Sequence, residues 1–202
     1  VPLLKYVTQP QHMYDAELDR LVELLQQAER PVLYVGGGAI ISNASYAIRQ
    51  LAKKASIPVT YTLTTNGVFP GDHELALGMP GMHGTRYANE ALNNADLVIA
   101  AGTRFDDRVT GKVSEFIKYA TVVHIDIDPA EIGKVKHAHL AITGDLREAL
   151  EALLVRLEGI DIDSHVAWQQ QIKEWKAKFP LQYDHSETVL KPQFVVEQIS
   201  EL

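Results

Sequence analysis

Residues 31–38, PVLYVGGG, decide the fold, because a short apolar run leads directly into three glycines. An apolar run of this length, bounded by Pro and Gly, is typical of a buried strand. Before it, residues 14–29 carry apolar side chains at helical spacing, which predicts a helix. After it, Ser42 or Asn43 is expected to cap a second helix that extends to about Ala55.

Strand and helix patterns continue to alternate along the chain. Further strands are predicted at residues 58–62, 96–101, 121–127 and 139–143. Further helices are predicted at residues 87–94, at 129–132 and from 145 to about 157. The alternation predicts an α/β fold, a three-layer α/β/α sandwich with a Rossmann-like parallel sheet of five or six strands. Ligands of such sheets bind at the carboxyl ends of the strands.

Composition excludes several classes of protein. The 202 residues are 46% apolar and 22% charged, which is typical of a soluble globular protein. The longest apolar run, residues 97–101, is far below the roughly 18 residues of a membrane span. With 19 basic and 26 acidic residues the net charge is −7, which argues against nucleic-acid binding.

The sequence contains no Cys, which excludes a disulfide framework, a thiolate zinc site and a cysteine nucleophile. The first residue is Val1 rather than Met, and no signal peptide follows it, so we expect a fragment of a cytoplasmic protein. Eight His are scattered without the spacing of a zinc site, and only His83, between Met82 and Gly84, has ligand-like surroundings.

Three segments are expected along the chain. Residues 1–13 are a lead-in from another domain, residues 14–158 form the central domain, and residues 159–202 comprise a linker, a helix and the start of a further domain. Trp168 and Trp175 lie seven residues apart and so share a face of the predicted helix 165–178. Their spacing favours packing in a core or an interface.

The glycine run 36–38 has two interpretations. Backbone that a ligand can approach closely, ahead of a helix, suits a phosphate group. The dinucleotide fingerprint, however, needs a further Gly where Ile41 stands, and an acid after the second strand, where residues 60–62 are Thr-Tyr-Thr. A tight strand-to-helix turn is the alternative to a ligand site.

The densest polar cluster, residues 102–111, begins where an apolar strand ends. Arg104 or Arg108 would bind an anion such as pyrophosphate or a carboxylate, because a planar guanidinium matches those oxygens. Asp106 and Asp107 would orient the guanidinium or accept from ligand hydroxyls. The alternative is a set of surface ion pairs with little effect on stability.

Carboxylates also follow the next two strands. Asp126, at the end of strand 121–127, is placed to accept hydrogen bonds from ribose hydroxyls. Metal binding by Asp126 and Asp128 is the alternative, and Asp128 is equally suited to cap the turn before Pro129. Asp145, after Gly144, would bind a ligand or cap the following helix.

Three motifs belong together: residues 78–85, GMPGMHGT; residues 102–112, GTRFDDRVTGK; and residues 124–134, HIDIDPAEIGK. Together they resemble the acetolactate synthase (acetohydroxyacid synthase) large subunit. The resemblance implies an enzyme that uses thiamine diphosphate and Mg²⁺ to decarboxylate pyruvate and join the two-carbon unit to a second 2-keto acid, in branched-chain amino acid biosynthesis. It also implies three domains, of which the central one resembles this chain and binds FAD without net redox chemistry.

The resemblance implies a set of residues that line the FAD. They are Gly36, Gly37, Gly38, Thr62, Leu63, His83, Gly102, Arg104, Asp106, Arg108, Val109, Asp126, Ile127, Glu131, Gly144 and Asp145. Arg108 would also face the active centre and hold the second keto acid, and herbicides of the family would bind near Asp107 and Arg108. Pro80 and the turn at residues 64–66 depart from the family pattern.

No catalytic or metal-binding residue is expected in this chain, because the thiamine-activating Glu and the metal motif of that family lie in the flanking domains. The implied partners are those N- and C-terminal domains, a second large subunit in a homodimer or tetramer, and a regulatory small subunit. We therefore expect the isolated chain to be inactive.

Two other classes of function remain open on the sequence. One is another thiamine diphosphate enzyme, such as a glyoxylate carboligase or an oxalyl-CoA decarboxylase, although the segment Arg104–Arg108 favours acetolactate synthase. The other is a nicotinamide-dependent dehydrogenase or deacylase on a similar sheet, which the missing Gly, acid and Cys disfavour. For the isolated chain, a cofactor-binding and interface module without turnover is the state we expect.

Overall fold

The computed structural model describes residues 14–201, and at its centre lies one six-stranded sheet. The strands are β1 (Pro31–Val35), β2 (Val59–Tyr61), β3 (Ala76–Gly78), β4 (Leu97–Ala101), β5 (Thr121–Asp126) and β6 (Leu140–Thr143). Their order is β3-β2-β1-β4-β5-β6, and each neighbouring pair is parallel. The predicted α/β fold is confirmed. The strand order reverses between β1 and β4, and doubly wound sheets bind ligands at such a reversal.

Eight α-helices surround or follow the sheet in the described part of the chain, and a short 3-10 helix spans Leu63–Thr65. The α-helices are α1 (Asp15–Gln27), α2 (Gly38–Ile41), α3 (Ser45–Lys54), α4 (Arg86–Asn94), α5 (Asp107–Thr110), α6 (Leu146–Arg156), α7 (Val166–Lys178) and α8 (Pro192–Ser200). None of the helices between residues 14 and 201 is long and apolar enough to cross a membrane.

The two faces of the sheet bury two separate apolar clusters. Along β1, Leu33 and Val35 point to the cluster that α1, α3 and α6 complete, and Val32 and Tyr34 point to the cluster that α4 and α7 complete. All four side chains are fully buried. Side chains alternate between faces along a strand, so a sheet covered on both sides needs continuous apolar strands, as the sequence has.

Helix α7 is part of the second apolar layer. Trp168 is buried there with Ile172, and its indole N–H donates to the carbonyl of Pro31 at 3.2 Å. The rings of Trp168 and Trp175 meet edge to face at 5.6 Å. The expected packing role of the two Trp is confirmed. Helix α8, in contrast, buries none of its residues, and the predicted lead-in 1–13 lies outside the described residues.

The second predicted helix begins later than expected. Gly38–Ile41 forms one helical turn that ends at Ser42, whose hydroxyl donates back to the Gly38 carbonyl at 2.8 Å. Asn43 then adopts a left-handed conformation (φ 55°), and α3 begins at Ser45. The prediction that Ser42 or Asn43 caps α3 is therefore wrong, because both residues serve the reversal between two helices.

Two further local predictions differ from the structure. The sequence pattern does not predict β3, because a strand of three residues carries no periodic signal. A side-chain hydrogen bond helps to hold this strand in the sheet, since the Thr60 hydroxyl donates to the Gly78 carbonyl at 2.8 Å. Residues 129–132 form turns rather than a helix. The carboxylates of Asp126 and Asp128 each accept from a backbone N–H two residues on, and such local bonds compete with a helix.

Candidate functional site

The candidate site lies at the carboxyl edge of the sheet. Because all six strands are parallel, the segments that follow them meet at one edge. The sequence-predicted site residues all lie at this edge: Gly36–Gly38 after β1; Thr62 and Leu63 after β2; His83 after β3; Gly102, Arg104, Asp106, Arg108 and Val109 after β4; Asp126 at the end of β5, with Ile127 and Glu131 after it; Gly144 and Asp145 after β6.

Two of the three glycines in the first loop are explained by backbone packing. A Cβ on Gly36 would lie 2.5 Å from the Cα of Thr103, and one on Gly38 would lie 2.8 Å from the Cα of Gly102. The Gly38 N–H donates to the Gly102 carbonyl at 3.0 Å. The loops after β1 and β4 therefore touch backbone to backbone, which gives Gly36 and Gly38 a packing role.

Gly37 differs from its neighbours because a Cβ placed there would meet no backbone atom within 4 Å. The nearest atom to a Cβ placed there is the hydroxyl oxygen of Thr64, at 3.6 Å. That hydroxyl lies 3.2 Å from the hydroxyl of Thr62, which follows β2. The helix that follows Gly37 has only four residues, so the expected long helix behind a phosphate is absent at this position. Gly37 offers its backbone, and Thr62 and Thr64 offer hydroxyls.

The loop after β4 carries two exposed guanidinium groups. Across residues 14–201, neither Arg104 nor Arg108 forms an ion pair with a carboxylate. The Asp106 carboxylate instead accepts from the backbone N–H of Arg108 at 3.1 Å and caps α5. That hydrogen bond, helped by the charges of Arg108 and Arg104, holds the pKa of Asp106 below its usual value. Both guanidinium groups are thus free to contact an external anion.

The glycine-rich segment between β3 and α4 is fixed against the same loop. The Asn89 side chain bonds Gly81 twice, accepting from its N–H at 2.7 Å and donating to its carbonyl at 3.0 Å. A Cβ on Gly81 would lie 2.7 Å from the Arg108 carbonyl, so only Gly allows this approach. The adjacent Met82 and His83 are exposed. They lie beside the loop after β4, residues 102–111, which we call the arginine loop.

The segment after β5 offers a carboxylate and an apolar side chain. Asp126 is half-buried and uses its Oδ1 to accept from the N–H of Asp128 at 2.9 Å, which leaves Oδ2 for other donors. Ile127 is 53% exposed. Glu131 forms an ion pair with Lys134 at 2.7 Å, so its carboxylate is already partnered.

The segment after β6 has a structural role. The Asp145 carboxylate accepts from the Glu148 N–H at 3.1 Å and caps α6. The side of Gly144 where a Cβ would point is filled by the Tyr14 ring. Burial, with smaller effects of Glu148 and Asp145, raises the pKa of Tyr14. Of the two interpretations of Asp145, capping is the one with an observed partner.

Several residues that organise the site carry no assignment from the sequence. Asn89 gives no signal, since its partner is a loop backbone eight residues away. Phe105 stands in the middle of the arginine loop with a positive φ of 54°, and His124 is completely buried beneath it. The positive φ of an aromatic residue is invisible in a sequence.

The site combines cations, hydroxyls and apolar surface along one edge. Arg104 and Arg108 suit an anion, Asp126 and Thr62 suit hydroxyl or amide groups, and the exposed side chains of Leu63, Met82 and Ile127 suit a ring. Among residues 14–201, no three His, Asp or Glu side chains group together as metal ligands. An elongated anionic ligand with sugar and ring parts matches this set.

Comparison with known families places the fold. The profile of the thiamine pyrophosphate enzyme central domain matches residues 18–153, which is the segment that contains the whole sheet.

Comparison with individual proteins gives consistent names. The acetolactate synthase large subunit of Cyanidium caldarium is 45% identical over 190 residues, which cover 92% of this chain and 32% of that protein. The acetolactate synthase large subunit of Corynebacterium glutamicum is 46% identical over 187 residues, covering 91% and 30%. The probable acetolactate synthase 2, chloroplastic, of Oryza sativa is 44% identical over 194 residues, covering 92% and 28%. The chain thus spans about a third of the length of the curated relatives it matches.

Proposed function

Since the chain belongs to the thiamine pyrophosphate enzyme central-domain family, we propose that it is the FAD-binding central domain of an acetolactate synthase large subunit. The whole protein would condense two pyruvates, or pyruvate with 2-ketobutyrate, to a 2-acetohydroxy acid with release of CO₂. Relatives at about 45% identity that carry this name support the proposal.

The single observation that carries FAD binding is the pair of unpaired guanidinium groups after β4. Arg104 and Arg108 are exposed, hold no carboxylate among the described residues, and follow the strand at the reversal of strand order. A planar guanidinium matches the oxygens of a phosphate group, and no carboxylate of the described residues competes for either side chain. The pyrophosphate of FAD is such an anion, and Arg104 is our choice as its main contact.

The remaining parts of FAD also find suitable groups. Asp126 keeps one carboxylate oxygen for ribose hydroxyls, and the absence of a Cβ at Gly37 admits close approach of the ligand. Leu63 and Ile127, 68% and 53% exposed, offer apolar surface to a ring. The residues present therefore fit the group, and FAD would have a binding role here.

Catalysis would require the flanking domains. Thiamine diphosphate, held there with Mg²⁺, supplies the decarboxylation chemistry when it is bound. In this chain Arg108 would point toward the substrate and help hold the carboxylate of the second keto acid, so it is substrate-facing and Arg104 is cofactor-facing. The 202-residue chain alone would not turn over pyruvate.

Further partners complete the proposal. The N- and C-terminal domains of the large subunit would cover the carboxyl edge, and the whole protein would assemble as a homodimer or tetramer with a regulatory small subunit in the cytoplasm. Because part of the flavin surface would be buried by those domains, FAD binding to this chain alone should be weak. Missing contacts worth about 2.8 kcal/mol would lower the affinity roughly a hundredfold.

The test is a titration of FAD into the 202-residue chain and two variants at matched salt. Arg104→Ala should weaken FAD binding by about ten- to a hundredfold, because a charge-assisted contact of about 1.5–3 kcal/mol is lost. Arg20→Ala is the matched control, since that guanidinium pairs with Glu23 on α1 and lies outside the site. Unchanged FAD affinity in Arg104→Ala would refute the assignment.

A second measurement separates the cofactor role from the substrate role. In the full-length protein, Arg108→Ala should mainly raise the concentration of the second keto acid that is needed for half-maximal rate. Acetolactate formation by the 202-residue chain alone, with thiamine diphosphate, Mg²⁺ and FAD added, would contradict the placement of catalysis in the other domains.

A further inference from the structure

The arginine loop contains a buried aromatic residue in an unusual backbone conformation. Phe105 has φ 54° and is only 1% exposed, whereas its neighbours Arg104 and Asp106 are both exposed. A bulky residue rarely adopts a left-handed conformation unless surrounding contacts compensate the strain. The loop is therefore held in this shape by what the Phe105 ring touches.

Three different segments hold that ring. Its centroid lies 5.8 Å from the Tyr34 ring of β1, 6.3 Å from the Phe116 ring after α5, and 5.2 Å from the His124 ring of β5. The contacts with Phe116 and His124 are edge to face, at 76° and 86°. Edge-to-face pairs are directional, so together they specify the position of the ring as well as its burial.

His124 ties the same loop a second time. The Thr103 carbonyl can only accept, so Nε2 of His124 donates to it at 2.8 Å, and Nδ1 accepts from the Gly133 N–H at 3.4 Å. One neutral imidazole thus joins the loop after β4 to the turn after β5. Its burial lowers the pKa of His124, which is consistent with the neutral form.

The position of Phe105 determines where its neighbours point. With the ring turned into the core, Arg104 is directed to the exposed side of the loop, and Asp106 is left to cap α5 through the Arg108 N–H at 3.1 Å. We propose that Phe105 is the positioning residue of the arginine loop. It acts through Arg104 and Asp106 and does not touch the ligand; the part of this inference that concerns FAD rests on the proposed function.

The test compares Phe105→Leu with Phe116→Leu in the 202-residue chain. Phe116 is the matched control because it is buried in the same cluster and touches the same ring, but it lies outside the loop. Two readouts are measured beside the melting temperature. One is the FAD dissociation constant, and the other is hydrogen exchange at the α5 amides of Val109 and Thr110, which donate to the Asp106 carbonyl at 3.0 Å.

If Phe105 positions the loop, the melting temperatures of the two variants fall by similar amounts, but their FAD affinities and their α5 exchange rates differ. Phe105→Leu should weaken FAD binding about tenfold more than Phe116→Leu, and should accelerate α5 exchange about tenfold more. Equal FAD affinities and equal α5 exchange in the two variants would reduce Phe105 to a core residue and overturn the proposal.

Two provisions keep the result decisive. If Phe105→Leu does not fold, Phe105→Met has an unbranched, flexible side chain that adapts to the same space and should shift both readouts in the same direction. No shift relative to Phe116→Leu would overturn the proposal. If the unaltered chain binds no FAD, the proposed function fails, but the α5 exchange still decides the positioning role.

Discussion

The glycine run offers a matched pair of substitutions that separate packing from ligand binding. Gly36 faces the backbone of the loop after β4, where a Cβ would lie 2.5 Å from the Cα of Thr103 and 2.6 Å from its Cβ. Backbone atoms cannot rotate away as a flexible side chain can, so the two loops must separate. Gly36→Ala should lower the free energy of unfolding by about 3 kcal/mol or more, at the upper end of measured overpacking effects.

Gly37→Ala should behave in the opposite way. Gly37 has φ −54° and ψ −25°, which Ala adopts without strain, and a Cβ would lie 3.6 Å from the nearest atom, the Thr64 hydroxyl. The substitution also restricts the unfolded chain, so stability should stay equal or rise by about 0.4–1 kcal/mol. The new methyl group would stand where the proposed ligand approaches, and FAD affinity should fall about tenfold.

Urea unfolding and FAD titration of both variants test this reasoning together. We expect Gly36→Ala to be strongly destabilised and Gly37→Ala to be as stable as the unaltered chain but poorer in FAD binding. Comparable destabilisation of both variants would refute the described contact between the two loops. A stable Gly37→Ala with unchanged FAD affinity would remove Gly37 from the binding site.

Three further results are expected. Trp168→Ala should destabilise the protein by about 3–5 kcal/mol in urea unfolding, the range for deleting a buried aromatic side chain. Trp175→Ala removes a half-buried ring and should lower the free energy of unfolding clearly less. Equal losses would contradict the role of α7 in the core. Burial lowers the pKa of His165 below 6.5, so the unfolded chain takes up a proton first and stability falls as the pH decreases below about 6.5. In urea unfolding between about pH 7.5 and 5.5, His165→Asn should lose less stability than the unaltered chain. An identical loss of stability in the two proteins would count against this effect of His165. Asp145→Ala should lower the free energy of unfolding by about 1 kcal/mol through loss of the α6 cap, while Asp145→Asn should keep the cap and the stability. A loss of FAD affinity in Asp145→Asn at unchanged stability would show a ligand role beyond capping.

The sequence was sufficient for the layers of the fold and for placing the predicted site residues at one edge of the sheet. Strands such as β1 are apolar throughout because both faces of the sheet are covered, and this signal is local. Once the strands are known to be parallel, the polar residues that follow them must meet at one edge, so Arg104 and Asp126 could be placed together in advance.

Long-range contacts account for what the sequence could not provide. The packing of Gly36 and Gly38 depends on a loop more than sixty residues away, and Trp168 meets Pro31 across 137 residues. No local pattern records that Arg104 and Arg108 lack carboxylate partners in the described chain, or that Phe105 is left-handed. Short-range competition explains the rest, since the carboxylates of Asp126 and Asp128 stabilise turns where a helix was predicted.

The central claim is that FAD binds at the carboxyl edge of the sheet, and amide chemical-shift mapping tests it most directly. FAD is titrated into the isotopically labelled 202-residue chain while the backbone amide resonances are followed. We expect the largest shifts at Gly37, Arg104 and Ile127, with none at Arg30 and Asp96, which lie at the opposite ends of β1 and β4. Shifts concentrated at that opposite edge, or no saturable shifts at any concentration, would contradict the account.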